Sequence, residues 1–239
     1  MKIDILAFGA HPDDVELGCG GTLHKAVING KTVGIIDLTK GELGTRGDMK
    51  TRALEASNAA KVLGVSFREN LGMPDGFLIN SKENQLLIIE IIRKYKPEIV
   101  FCNSFEDRHP DHSKACQLVR ESCFLSGLVK IITKDKDGNS QKFWRPSSVY
   151  SYIQWKSLKP EFVVDISSTI DTKISAVECY KSQFYNPSIN EINTPISTKN
   201  FIKSVRYRAA DLGRLTNIDY AEGFISDRLI AVDSIFDLK

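Results

Sequence analysis

The chain has 239 residues, 42% of them hydrophobic and 26% charged, with a formal net charge of +2. That apolar content is enough to bury a sizeable core. The near-neutral balance, with Lys and Arg spread along the chain, gives no field to draw nucleic acid or an anionic membrane surface, so the expected partner is a small molecule.

Ile3-Asp4-Ile5-Leu6-Ala7-Phe8 is a β-prone run ended by Gly9, and Leu23 to Ile28 has helical character before Asn29-Gly30 stops it. Val33 to Leu38 predicts a second strand. Met49 to Leu63, rich in Ala and Leu, predicts a helix with Gly64 as its C-cap signal. Ser66 to Leu71 is a short strand candidate, and Asn84 to Tyr95 a helix ended before Pro97. Glu98 to Cys102 reads as a buried strand and Ser113 to Leu125 as a helix starting just after His112. Strand and helix in this alternation predict an α/β fold, a mostly parallel sheet with helices on both faces.

Past Lys130 the pattern loosens. Lys134 to Ser140 is a polar turn, Val149 to Gln154 and Phe162 to Ile166 read as strands, and Thr169 to Phe184 as a helix. Tyr185 to Lys199 is a long loop of the kind that borders a site. The expected organisation is one domain over 1–239, with a core over 1–130 that carries the site and a less regular C-terminal part over 131–239 that completes its rim. The five cysteines are odd in number and contain no C-x-x-C pair, so they read as reduced, buried thiols. The N-terminus enters a strand at once, and no segment approaches the ~20 apolar residues of a membrane helix, so a cytoplasmic location is expected.

Two copies of one tripeptide stand out: His11-Pro12-Asp13, followed by Asp14, and His109-Pro110-Asp111, followed by His112. By composition a single His-Pro-Asp is expected only about 0.01 times in such a length. Both copies follow predicted strands, and the carboxyl edge of an open α/β sheet is where ligands bind. Two imidazoles and a carboxylate, taken as His11, Asp14 and His112, bind zinc and leave a position open for water; the same set also holds non-haem iron. Asp13 points away from Asp14 along an extended turn and is free to act as base on a metal-activated water. His109 is a candidate ligand, general acid or cationic stabiliser of an oxyanion, with the last two favoured. Asp111 either fixes an imidazole's tautomer or caps the following helix.

The arginines near these motifs, Arg46, Arg52, Arg108 and Arg145, are candidates to grip a substrate carboxylate or phosphate, although each alone reads more readily as a surface charge. Gly18-Cys19-Gly20-Gly21 with Asp37 superficially suggests a dinucleotide fold. The third glycine is misplaced and an acidic stretch fills the pyrophosphate position, so these glycines read as close-packing and turn residues. His24 reads as an ordinary helix residue.

With these residues in place, the chain resembles the PIG-L/LmbE-like zinc-dependent N-acetylglucosaminyl deacetylases. The resemblance is carried by residues 9–22 (GAHPDDVELGCGGT), residues 107–112 (DRHPDH) and, in support, residues 220–224 (YAEGF). Asp37-Leu38-Thr39, Arg52, Met73-Pro74-Asp75 and Glu106-Asp107-Arg108-His109 are most similar to the bacillithiol biosynthesis branch, which deacetylates N-acetylglucosaminyl malate. The resemblance implies a Rossmann-like fold, zinc on His11, Asp14 and His112, Asp13 as general base, His109 at the oxyanion or leaving group, and a homo-oligomer, hexamers included. It also implies, in the alternative, another acetylated sugar such as diacetylchitobiose. Asp107 and Phe201 stand where relatives have tyrosines, so a tyrosine contribution is not carried over. From a different class, a metal- or nucleotide-binding module without turnover is supported only by the glycine turn and Asp37.

Overall fold

In the computed structural model, which describes residues 2–188 and 192–237, the first half alternates strand and helix throughout. In order these are β1 (Ile5–Gly9), α1 (Asp14–Ile28), β2 (Val33–Thr39), α2 (Met49–Leu63), β3 (Phe67–Met73), α3 (Lys82–Tyr95), β4 (Ile99–Asn103) and α4 (Pro110–Leu125). The second half supplies β5 (Ser148–Tyr152), β6 (Phe162–Asp165), α5 (Ile170–Val177), α6 (Lys199–Arg214) and β7 (Ala221–Ser226). All seven strands join one sheet in the order β3-β2-β1-β4-β5-β7-β6. Strands β1 to β5 are parallel, and β7 runs antiparallel to both neighbours.

Alternation along the central strands makes two cores. Ile5, Ala7, Val33 and Ile35 point into one, closed by α1, α2, α5 and α6; Leu6, Phe8, Ile36 and Leu38 point into the other, closed by α3 and α4. This is the expected Rossmann-like α/β architecture. From β1 the chain builds outward through β2 and β3, then crosses back to place β4 on the other side of β1. The crevice at the carboxyl ends of β1 and β4 is therefore a topological switch point. All five thiols are free, four of them buried. Among the described residues no helix is long and apolar enough to cross a membrane.

Several boundaries differ from those the pattern predicts. Helix α1 begins at Asp14 rather than near Leu23, and α4 begins at Pro110 rather than Ser113. Proline is well suited to a first helical position because the N–H it lacks has no intrahelical partner there. Helix α5 stops at Val177 rather than Phe184, where the chain turns to bury Tyr180 so that its hydroxyl donates to Glu16. Helix α6 is unexpected: its only buried stripe is Phe201, Val205, Ala209 and Gly213, set among charged residues. Of the long loop before it, residues 189–191 lie outside the described residues.

Two glycines of the first motif, Gly18 and Gly21, are packing residues inside α1. A Cβ on Gly18 would sit 2.1 Å from the Tyr152 ring, and one on Gly21 would sit 3.0 Å from Ile166. The helix breaks at Cys19 (φ −142°, ψ 17°). Past that break, the amides of Gly21 and Thr22 donate to the Glu222 carboxylate of β7 at 3.0 and 2.7 Å. A carboxylate at a helix start meets both unpaired N–H groups and the positive end of the dipole. Lys173 of α5 donates to the same carboxylate and, at 2.9 Å, to the Leu17 carbonyl. Lys173 and Glu222 are both buried, so removing one strands the other's charge. Glu222→Ala is expected to lower stability by about 3–5 kcal/mol, read from urea unfolding followed by circular dichroism.

Candidate metal centre

The chain leaves β1 at Gly9 and is pinned to β4 at once. The Ala10 amide donates to Asn103 Oδ1 at 2.9 Å, while Asn103 Nδ2 donates to Asp14 Oδ2 at 3.1 Å. Thr39 at the end of β2 donates to the Ala10 carbonyl through both its amide and its hydroxyl. Asp13 sits at φ +118°, a rare and costly conformation for a residue with a Cβ, and it is the N-cap position of α1. That turn sets the two neighbouring carboxylates apart.

Asp14 Oδ2 accepts from the His11 amide at 2.9 Å and lies 3.5 Å from His11 Nδ1. Asp14 Oδ1 accepts from Gln154 Nε2 at 2.7 Å and lies 3.1 Å from His112 Nε2. Each imidazole therefore turns one nitrogen to Asp14, and the opposite nitrogens meet other carboxylates. His112 Nδ1 is 3.0 Å from Asp107, and His11 Nε2 is 3.0 Å from Asp75 and 3.4 Å from Asp111. His11 Nε2 is buried and makes no hydrogen bond despite that proximity.

His109 caps α4: its Nδ1 accepts from the Asp111 amide at 3.2 Å, which leaves the ring proton on Nε2. Asp111 does not cap that helix and does not line the cavity. Its carboxylate accepts from Gly76 N at 2.7 Å and faces His11 Nε2 at 3.4 Å.

Charge follows this geometry. Burial opposes protonation of His11, but the Asp111, Asp14 and Asp75 carboxylates outweigh it and hold its pKa well above the usual histidine value. Burial also opposes the charged form of His112, and Asp14 and Asp107 lift it nonetheless to about 9. Burial alone would raise Asp14; the two imidazoles hold it well below the usual carboxylate range. Asp13 is different. Burial pushes it up to about 7, against the pull of Arg52. His109 is held below its usual value by burial and by the adjacent imidazoles, so it stays neutral at pH 7.

The cavity over these groups has a volume of about 430 Å³ and reaches from His11, Asp13, Asp14, His109 and His112 to Trp155. That lies within the roughly 300–1,000 Å³ of small-molecule sites. Gln154, Trp155, Gln183, Thr194 and Phe201 bring the C-terminal part into its wall. Arg52 lines it too, but its guanidinium is spent on the Pro12 carbonyl (2.6 Å) and the Gly41 carbonyl (3.2 Å), and lies 3.5 Å from Asp13. Gly41, at φ +65°, has no room for a Cβ beside that arginine. Arg108 lies over the Trp155 ring at 4.5 Å. Arg145 is not at the site: it is exposed, donates to the Phe124 carbonyl and covers that residue's ring, because the chain enters β5 at its amino end, away from the crevice.

The donor set fits a divalent cation. The ligating atoms of His11, His109 and His112 lie within 4.8 Å of one another, as do those of His11, Asp75 and Asp111, and Asp14 faces two of the three histidines. His11 Nδ1 and His112 Nε2 both turn to Asp14 while other carboxylates back the far side of each ring, the arrangement of buried imidazoles and carboxylates that such an ion requires. Motif spacing does not single out Asn103, Gln154 or Asp107 as supports. Asn103 ends β4 and Gln154 follows β5 closely, so their place at strand carboxyl ends is the signal that could have found them.

The PIG-L family model, described as GlcNAc-PI de-N-acetylase, matches residues 6–123. The diacetylchitobiose deacetylase of Thermococcus kodakarensis is 30% identical over 230 residues, 92% of this chain and 81% of the relative. The conserved protein TT1542 from Thermus thermophilus superimposes with a TM-score of 0.84 at 34% identity, covering 97% of this chain and 98% of that one. At 25% identity over 241 residues, 92% of this chain and 88% of the relative, the 4-oxalmesaconate hydratase of Pseudomonas putida also matches.

Without metal, His112 stays protonated up to about pH 9, so an incoming divalent cation must displace that proton. Calorimetry at pH 7 in buffers of different ionisation enthalpy is expected to read at least one proton released per ion, with affinity rising as pH approaches 9. Asp107→Asn is expected to weaken metal binding about 10–100-fold in the same titration, by loosening the His112 ring.

Proposed function

The chain belongs to the PIG-L family and is a metal-dependent amide hydrolase, and from that premise we propose that it removes the N-acetyl group from an acetylated glucosaminyl saccharide. The observation that carries this reading is one cavity lined by His11, Asp14 and His112 together with a separate carboxylate, Asp13. Zinc is the proposed ion, held by His11, Asp14 and His112. When bound it supplies Lewis-acid polarisation of the amide carbonyl and lowers the pKa of a coordinated water.

Asp13, placed by its turn and by Arg52, accepts a proton as water adds to the acetyl carbon. A carboxylate with a pKa near 7 is matched to taking that proton and then giving it to the departing amine. His109 presents its Nε2–H as a neutral donor to the carbonyl oxygen, where negative charge grows. The C–N bond then breaks, leaving acetate and a glucosamine amine.

Diacetylchitobiose is the saccharide that the Thermococcus relative supports. N-acetylglucosaminyl malate, the bacillithiol-type substrate, is the second reading and rests on the motif resemblance alone. Assembly into a homo-oligomer rests on that same resemblance.

The test is acetate release from diacetylchitobiose, N-acetylglucosaminyl malate and free N-acetylglucosamine by zinc-loaded protein of measured metal content. Asp13→Asn is expected to cost about 10²–10⁴-fold in kcat and His109→Ala about 10²–10³-fold. Full activity in Asp13→Asn, or no acetate from any of the three, overturns the reading. In the latter case, the hydration chemistry named for the Pseudomonas relative is the next reaction to assay.

A further inference from the structure

A second cavity, of about 630 Å³, runs between α2 and β3. Pro12 lines it, while the residues on either side, His11 and Asp13, line the metal cavity. The space exists because β3 is the outermost strand of the sheet and α2 reaches toward it only with small side chains. Ala53, Ala56, Ser57 and Ala60 recur at i, i+3, i+4 and i+7, one helical face, and all four line the cavity together with Val65 and Phe67.

The charge around this apolar body is one-sided. Lys40, Lys50 and Lys61 line the cavity and are exposed, and among the described residues none of their ammonium groups makes a hydrogen bond or an ion pair. Asp48, which Lys50 acts on across space, is engaged as the N-cap of α2, where it accepts from the Thr51 amide at 2.7 Å. The two carboxylates in the wall are paired, Asp37 with Arg68 and Glu69 with Lys94 and Tyr95. A second copy docked about a two-fold axis would press this positive rim against itself. The complementary occupant is instead a small ligand with an apolar body and a negative head. Such a ligand would bear on the groups that position Asp13. Lys40 lies between Thr39, which donates to the Ala10 carbonyl, and Gly41, whose carbonyl accepts from Arg52. Lys50 is in the first turn of α2, two residues before Arg52, which also donates to the Pro12 carbonyl and faces Asp13. One anion held by both lysines therefore ties together the two elements that Arg52 joins.

We propose that the cavity between α2 and β3 is an effector site for a small amphipathic anion, whose apolar body lies over the alanines of α2 and whose carboxylate or phosphate head meets Lys40, Lys50 and Lys61. Its occupancy raises the rate at the metal centre by fixing Arg52 and the Asp13 turn. Lysine suits the head because a compact point charge on a flexible stem makes no demand on the geometry of the anion. Binding at this site is independent of the deacetylase reading; the effect on rate rests on it.

The experiment titrates zinc-loaded wild type, Ser57→Trp and Lys50→Gln calorimetrically with octyl phosphate, octanoate, hexyl phosphate and octyltrimethylammonium, each below its micellar concentration. Acetate release at saturating diacetylchitobiose is followed in parallel. One octyl anion is expected to bind per chain, at least about 10-fold tighter than the octyl cation. Shortening octyl to hexyl phosphate should cost about 10–15-fold, which contact with surface lysines alone would not. Ser57 is exposed, so Ser57→Trp fills the cavity without disturbing the core and is expected to weaken binding at least about 10-fold, and Lys50→Gln about 2–5-fold. In wild type, kcat should rise about 5-fold over the concentration range in which the anion binds. Equal binding of the octyl cation overturns the anion class. Binding that survives Ser57→Trp lies in another cavity and overturns the site. Absence of binding overturns it as well, and a change of mass in solution on Ser57→Trp then assigns the cavity to contact between copies. Ser57-dependent binding with kcat unmoved or lowered overturns the effector role. The same binding without acetate from any substrate supports the site and overturns the deacetylase reading instead.

Discussion

The Asp14 carboxylate is where four separate stretches of chain are forced to meet. The turn after β1 brings the His11 amide, the end of β4 brings Asn103, the segment after β5 brings Gln154, and the first turn of α4 brings His112. A fully buried carboxylate tolerates no vacancy among such partners, because each missing donor leaves desolvated charge uncompensated. The relative placement of β1, β4 and β5 is thus written into one side chain. The parallel order of the sheet in turn fixes which strand ends can reach it.

Behind the cavity the chemistry is supported by more buried charge. Arg68 donates to both oxygens of Asp37, at 2.7 and 2.8 Å, and also to Glu16, which accepts in addition from the Tyr180 hydroxyl at 3.0 Å. Burial raises the pKa of Asp37 against the pull of Arg68. Such a cluster is weak evidence of added stability, since hydrophobic replacements often do as well. What it does provide is orientation: Glu16 is two residues past Asp14 on α1, so the cluster fixes that helix from the side opposite the metal ligands.

Much of this could be read from the order of residues. Helix α2 runs over the predicted Met49–Leu63, with Gly64 closing it at φ +74°, because propensity and cap agree locally. The two His-Pro-Asp motifs meet at the carboxyl edge because both follow parallel strands on either side of the switch point. What could not be read is long-range. Asp107 looks like a surface residue until His112 turns onto it, and Phe201 lies in a helix whose charges hide its single apolar stripe. Arg145 is near the second motif in numbering only, since the stretch between carries the chain to the far end of the sheet.

The break in α1 also has a consequence for how the protein is made. The amides it exposes are met by Glu222, 201 residues beyond Gly21 and 200 beyond Thr22. On a ribosome adding about 5–20 residues per second, roughly 10–40 s pass between synthesis of the helix and arrival of its carboxylate. Through that interval the amides of Gly21 and Thr22 have no carboxylate to meet and must rely on water. The carboxylate that closes the break in α1 is therefore synthesised after His11, Asp14 and His112, so the packing behind the site is completed later than the motifs in front of it.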